Sequence, residues 1–342
     1  MSANLRERRI AVVGASSLIG EAVFEELREG KIRHSALHLI EDGRNLGARL
    51  EGADGEQLPM QDVATFDFSS VDLVFFCGRA ALSQSYAESA AAHAWVIDGS
   101  SAFRCRADVP LIAADVNPEA LKPVGGAGLI ALAGSASVAL ATALAPLQQL
   151  QALERVEVVT YHAVSGSGRG AVEDLAQETV ALLSGKEARG RAFGRQIAFN
   201  VIPQVDAIED GVAKEERRIW EETRRLLGLP QLAINVTAAR VPVFFGHSLA
   251  VHAAFKGPVD FRAAQGALQR GRGLKLLEGE SSDEFPTPAT LAGAPDRVYV
   301  GRFRADITRD WGLNFWLVAD NVRKCAAHNA VSAAQILVNR SQ

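Results

Sequence analysis

The apolar run Ile10-Ala11-Val12-Val13 ends at Gly14, and six residues later, after Gly20, the polarity changes to the helical spacing of EAVFEELREG, closing at Gly30. This pattern predicts a buried strand that turns tightly into an amphipathic helix. Further strand-like runs lie at 37–40, 71–76 and 95–98, with an alanine-rich helical stretch from Ser83 to Ala94 between the last two. Such alternation predicts a doubly wound parallel sheet, because each parallel strand must return through a crossover. From about Ala133 the texture changes. Strand-like VEVVTYHAVSG is followed by helical patterns over 170–183 and 214–227, then INVTAARVPVFFGHSLAVHAAF and a late YVGRFRADI. Strands in runs, with helices to one side, predict an α+β second domain. The stretch 321–339 is again helical and is expected to fold back on the first domain. The expected division is therefore 1–132 with 321–342, and 133–320. No internal repeat or low-complexity segment interrupts it.

Composition narrows the chemistry. The 342 residues are 48% hydrophobic and 22% charged, enough for two ordinary cores, and the net charge is -4. That balance excludes the basic surface needed for nucleic acid or an anionic membrane. MSANLRERRI lacks a secretory hydrophobic segment, and no run is long enough to span a bilayer. Cys77, Cys105 and Cys325 are odd in number and far apart, which argues against a disulfide framework and against a zinc site. No metal is expected, and a reducing cytoplasm fits.

Four features carry candidate chemistry, each beside a plainer reading. Gly14 to Gly20 lies where a strand hands over to a helix, so its N–H groups and the helix dipole suit a pyrophosphate; the same turn can be purely structural. Arg104 follows Ser100-Ser101-Ala102-Phe103 at a sheet edge, as an anion clamp or a solvated loop residue. Glu215 and Arg218 share a helical face, within a stretch that also reads as solvated. Arg240 and His247 flank Val241-Pro242-Val243, with His247 as an acid/base or a hydrogen-bonded structural residue.

Taken in order, these stretches resemble the aspartate-semialdehyde dehydrogenase family over nearly the whole chain. The turn 14–20 resembles its dinucleotide loop, and Gly99 to Arg104 its phosphate-binding segment. Ala163 to Gly168, Phe199 to Gln204, Glu215 to Arg218, Arg240 to Val243 and Gly246-His247-Ser248 follow, and Gly312 to Lys324 is the most specific run. The resemblance implies a Rossmann-type doubly wound α/β domain binding NADP or NAD, an α+β substrate-binding and dimerisation domain, and a homodimer. It also implies NADP-dependent, reversible reductive dephosphorylation of an aspartyl phosphate through a cysteine thioester. By position, Gly14, Ser16, Ser17, Leu18, Ile19, Gly20, Arg44, Gly78 and Asn321 fall to the cofactor. Arg104, Glu215, Arg218 and Arg240 fall to the anionic substrate, and His247 to general acid/base work.

The chain departs from the family at the reacting centre. Ser135 stands at the position of the cysteine nucleophile, Gly134 at that of the preceding asparagine, and His162 at that of a substrate-orienting glutamine. Leu249 replaces a glutamate suited to an α-ammonium group. A serine hydroxyl ionises far above a thiol and yields an oxygen ester, a poorer acyl donor to phosphate. Near the cofactor, Ser17 and Arg79 replace glycines, and Asp42 stands where a serine favours a 2′-phosphate. Asp42 should oppose NADP, with Arg44 as a partial offset. This combination resembles the divergent Usg-type branch of the family. The expectation is a retained fold and dimer, the usual activity lost, and binding of a nucleotide or small anionic metabolite. Three guanidinium groups, on Arg104, Arg218 and Arg240, are expected to share one cleft. Altered chemistry through Ser135 and His247, or a regulatory or assembly role without catalysis, are the alternatives.

Overall fold

The computed structural model describes residues 7–43, 46, 49–51, 55, 57–122, 127–277, 285–291 and 296–340. The chain divides into two compact units, residues 1–133 with 326–342 and residues 134–325.

The first unit is a Rossmann-type α/β domain. Its elements are β1 (Arg8–Val13), α1 (Leu18–Arg28), β2 (His34–Glu41), β3 (Arg49–Glu51), β4 (Gln57–Asp62), β5 (Leu73–Phe76), α2 (Ala80–Ala91), β6 (Trp95–Asp98), β7 (Leu111–Ile112) and β8 (Gly128–Leu132). The strands form one sheet in the order β3-β4-β2-β1-β5-β6-β8-β7, parallel except for the β3/β4 edge pair. Ile10 to Val13 and Leu73 to Phe76 are buried without alternation, as strands covered on both faces must be. The C-terminal helix, Asn329–Arg340, belongs to this unit. Gln335 Nε2 donates to the Lys31 carbonyl (2.7 Å), and Asn329 Oδ1 accepts the Ala114 N–H (2.7 Å).

The β1 to α1 turn is built from these strands. Gly14 and Ala15 both donate to the Ile40 carbonyl at the end of β2. Gly14 takes a φ of +77°, and a Cβ there would lie 2.6 Å from the Gly78 backbone, so the turn after β1 and the turn after β5 touch without side chains between them. Ser17 caps α1 by accepting the Gly20 N–H (2.9 Å), and its hydroxyl donates to the Cys77 carbonyl (2.9 Å).

The second unit is α+β. It comprises α3 (Ser135–Leu150), β9 (Leu153–His162), α4 (Arg169–Leu183), the hairpin β10 (Ile208–Glu209) and β11 (Val212–Ala213), α5 (Lys214–Leu227), β12 (Ala233–Arg240), β13 (His247–Phe255), α6 (Phe261–Arg270), β14 (Leu274–Leu276), β15 (Val298–Ala305) and β16 (Gly312–Ala319). Its main sheet runs β12-β9-β13-β16-β15-β14 and is mixed. Period-two burial in β9 sets Val156, Val158, Thr160 and His162 on the buried face and Glu157, Val159 and Tyr161 on the other. The apolar, alanine-rich α3 packs against α5, α6 and strands of this sheet.

One expectation needs correction, and one helix was not expected. The helix expected from Asn321 begins as a wide π-turn, Arg323–His328, and becomes α-helical only at Asn329; residues 321–325 group with the second unit. Asn321 is held there by Ser165 and Gly246. The helix α6 carried no sequence expectation: its short amphipathic pattern lies among turn-forming residues. Among the described residues, no helix is long and apolar enough to cross a membrane.

Gly14→Ala should destabilise the protein by about 1 to 3 kcal/mol, because the added methyl meets backbone at a φ that L side chains avoid. Gly170→Ala on α4, where a Cβ meets nothing within 4 Å, should be neutral or stabilising by roughly 0.5 kcal/mol. Urea midpoints of the two variants check the contrast.

Candidate functional site

Strand ends of the second unit's sheet converge at one edge. β9 closes on His162 and β12 on Arg240, directly opposite in register, while β13 opens with His247, opposite the last residue of β16. The His162 and His247 rings lie 4.5 Å apart between centroids, tilted by 55°, and both are buried. His162 Nε2 sits 2.9 Å from Thr160 Oγ1. The Ala163 N–H donates to His247 Nδ1 (3.1 Å), which leaves the His247 ring proton on Nε2, pointing away from that bond. Burial, with Arg240 nearby, pushes His162 down to about 3. Burial, then His162 and Arg240, hold His247 well below the usual imidazole range, so both rings are neutral at pH 7.

Arg240 is buried, and its Nη1 donates to the Ala163 carbonyl (3.2 Å). Phe193 lies against its guanidinium, 4.9 Å from the ring centroid. The loop carrying Phe193 is organised by two carboxylates of α4: Glu178 accepts the N–H groups of Gly190, Ile197 and Ala198, and Asp174 that of Ala192. Gly166 joins Arg240 to His247, since a Cβ there would lie 3.2 Å from His247 Cε1 and 3.6 Å from Arg240 Nη1. Asn321 Oδ1 accepts from the Gly246 N–H (3.0 Å) and the Ser165 hydroxyl (3.1 Å), fixing the backbone on which His247 is mounted.

α5 supplies the charges. Arg218 Nη1 binds Asp206 Oδ2 at 2.6 Å and lies 3.6 Å from Glu215 Oε2. Burial lowers the proton affinity of Arg240, while Glu215 and Asp206 act on it in the opposite direction. The expected excess of uncompensated guanidinium is therefore corrected: within this unit Arg218 is an ion-paired arginine, whereas Arg240 donates to a carbonyl and not to a carboxylate. The neighbouring Glu216 is structural, accepting the N–H groups of Ala213 and Ala238. Two turns along α5, the buried Glu222 accepts the Gly134 N–H (2.7 Å) at the N-terminus of α3, so the residue before Ser135 is fastened to the helix that carries Arg218. Ser135 itself is the half-buried first residue of α3. Leu249, opposite Thr160 in register, is fully buried.

In the first unit, residues 16–19 are half-exposed, and the N–H groups of Leu18 and Ile19 open α1, where no preceding turn can bond them. The Ser16 N–H and hydroxyl both donate to Glu41 Oε1 (2.8 and 2.6 Å). Arg79, beside Gly78, pairs with Asp42 (2.5 Å). Arg104 Nη2 donates to the Gly99 carbonyl (2.9 Å). Arg44 lies outside the described residues. Cys77 and Cys325 are buried and Cys105 is exposed; none stands at the start of α3. Among the described residues, no group of three or more His, Cys, Asp or Glu side chains is gathered to hold a metal ion. Sequence reasoning missed Glu41, Phe193, Asp206 and Glu222. Glu222 had a faint signal, lying on the same helical face as Glu215 and Arg218.

The neutral histidine pair makes stability pH-dependent. With folded values below the unfolded value of about 6.5, the unfolded chain takes up protons first, so stability is full above that pH and declines as pH falls toward the folded values. Each ring should account for up to roughly 2 kcal/mol of loss between pH 6.5 and 5. His162→Gln should flatten this loss, read as the change in Tm from pH 7.5 to pH 5 against the parent protein.

Comparison with known proteins agrees with this architecture. Residues 9–124 match the family model described as semialdehyde dehydrogenase, NAD binding domain, and residues 144–324 that described as semialdehyde dehydrogenase, dimerisation domain. The chain is 39% identical over 331 residues to aspartate-semialdehyde dehydrogenase 2 of Vibrio cholerae, covering 96% of this chain and 97% of that one. It is 37% identical over 335 residues to the USG-1 protein homolog of Azotobacter vinelandii, covering 97% and 98%. The crystal structure of aspartate semialdehyde dehydrogenase II from Vibrio cholerae superposes with a TM-score of 0.93 at 38% identity, covering 98% of this chain and 99% of that one. With both halves matched and identity sustained over nearly its full length, the chain belongs to the aspartate-semialdehyde dehydrogenase family.

Proposed function

We propose that this protein keeps the nucleotide-binding and dimerisation scaffold of its family, binds a small anionic metabolite at Arg240, and does not oxidise a semialdehyde through an enzyme-bound thioester. One observation carries the reading. The first residue of α3, where the resemblance places a cysteine, is Ser135. A hydroxyl there needs a strong base to become a nucleophile. His247 is poorly suited to act as that base, because its accepting nitrogen is occupied by the Ala163 N–H and burial keeps the ring from taking a proton. Relatives of similar identity are named aspartate-semialdehyde dehydrogenases, so the reading separates this chain from them by site chemistry and not by fold. The presence of a USG-1 homolog at 37% identity is in keeping with it.

The residues of the first unit fit a nicotinamide dinucleotide. Leu18 and Ile19 present N–H groups at the positive end of α1, and the Gly14 and Gly78 turns bring backbone close to backbone beside them. When bound, that cofactor supplies hydride exchange. Gly14, Ser16, Ser17, Leu18, Ile19, Gly20 and Gly78 are assigned to its pyrophosphate side, and Asn321 is a cofactor residue by the resemblance alone. In the second unit, Arg240 offers a planar fork to a carboxylate, and His247 Nε2–H is a donor beside it. Arg218, held by Asp206 and Glu215, sets the charge of the surroundings, and Arg104 is assigned to anion binding in the first unit. Neutral His162 contributes shape and a hydrogen bond to Thr160 where the family has an amide. A homodimer through the second unit is the expected assembly, measurable by light scattering.

The assay is phosphate-dependent oxidation of aspartate semialdehyde with NADP or NAD, followed as reduced nucleotide. The expected result is background; turnover on the order of 1 per second or faster overturns the reading. Small dicarboxylates and phosphate should raise Tm, and Arg240→Ala should remove about 1 to 3 kcal/mol of that stabilisation.

A further inference from the structure

The end of β2 carries two carboxylates with different partners. Glu41, the last residue of the strand, lies directly against the dinucleotide turn. Its Oε1 accepts both the N–H and the hydroxyl of Ser16. Among the described residues, both bonds to this carboxylate fall on Oε1, and a carboxylate has acceptor capacity on each oxygen. The next residue, Asp42, is paired with Arg79, which stands at the N-terminus of α2 just beyond Gly78. β2 and β5 flank β1 on opposite sides, so the pair spans the turn in which Gly14 and Gly78 touch.

In a Rossmann-type unit the end of the second strand meets the adenosine ribose. An acidic residue about 20 residues beyond the glycine turn accepts from the ribose 2′-hydroxyl, whereas a nearby arginine is needed to receive a 2′-phosphate. Glu41 occupies the first of these roles by position and chemistry. Arg79, which reaches this strand end from the turn after β5, is engaged by Asp42. A 2′-phosphate carries close to two negative charges at neutral pH. It would enter beside two carboxylates, where Arg79 is already engaged by Asp42.

We propose that Glu41 and the Asp42/Arg79 pair make the first unit selective for NAD(H) over NADP(H). Glu41 accepts from the ribose diol, and Asp42 withholds Arg79 from any 2′-phosphate. The inference rests on the nucleotide reading of this unit. It adds the discrimination and the residues responsible.

Isothermal titration of the full chain with NADH and with NADPH tests it, with Tm as the folding control. NADH should bind at least about tenfold tighter than NADPH in the parent protein. Glu41→Gln keeps an oxygen for Ser16 but removes the charge, and should narrow the ratio. Asp42→Asn should tighten NADPH by releasing Arg79, a gain that Arg79→Ala in the same background should abolish. A residue that only supports the fold would weaken both nucleotides together and leave the ratio unchanged. Equal or tighter NADPH binding by the parent, or an unchanged ratio in both Glu41→Gln and Asp42→Asn, overturns the selectivity while leaving nucleotide binding intact. Binding of neither nucleotide overturns the nucleotide reading and the selectivity with it.

Discussion

The bond from the Gly134 N–H to the buried carboxylate of Glu222 is the tie on which the candidate site depends. An isolated ionised carboxylate in a protein interior costs several kcal/mol. Here it lies at the positive end of α3, where a helix N-terminus stabilises an anion by roughly 0.3 to 2 kcal/mol, and it receives a charge-assisted hydrogen bond worth about 1.5 to 3 kcal/mol. The bond from Gly134 holds only while α3 and α5 keep their relative position. α5 also carries Glu215, which pairs with Arg218 and, with Asp206, acts electrostatically on Arg240. One hydrogen bond thus couples the residue before Ser135 to the helix that carries Glu215 and Arg218.

Desolvation is the second constraint, and it separates the two kinds of cation in this unit. Arg240 stays charged through burial because a guanidinium holds its proton far more tightly than an imidazole and spreads the charge over a plane that Phe193 can face. The histidines cannot do the same. Two imidazoles whose centroids are 4.5 Å apart, beside a fixed guanidinium, lose their protons at neutral pH. A glutamine in place of His162 would not titrate, so the histidine adds a pH sensitivity that an amide lacks.

Much of this was legible in the sequence, for identifiable reasons. The uninterrupted apolar runs of β1 and β5 and the glycine turn after β1 have few other physical solutions than a covered parallel sheet, and the first unit has that form. The positions of His162, Arg240 and His247 followed from ordered short motifs, and all three lie at one edge of one sheet. What was not legible depended on long-range pairing. Asp206 looks like a loop acid until it is seen against Arg218, and Glu222 looks like part of a solvated charged helix until its contact with Gly134 is seen. Counting arginines along the chain therefore overstated the positive charge available to an anion. The boundary near residue 321 was missed because helical spacing does not report that Asn321 is bound by Ser165 and Gly246.

The residues of the second unit and of the β1 turn sort by what they touch. Positions that hold backbone, such as Gly14, Glu178, Glu216 and Asn321, make bonds that tie them to the architecture whatever the chemistry. Ser135 and Leu249 make no such bond through their side chains among those described, and His162 makes one with Thr160. The Ser135 side chain, half-buried at the start of α3, can differ without disturbing a backbone bond of that helix. A scaffold built in this way can lose its nucleophile while its strands, caps and buried carboxylates remain in place, because the hydroxyl at the start of α3 supports nothing that the packing of α3 requires. Identity of 37% to 39% over nearly the full chain is therefore compatible on physical grounds with the change we propose at the start of α3.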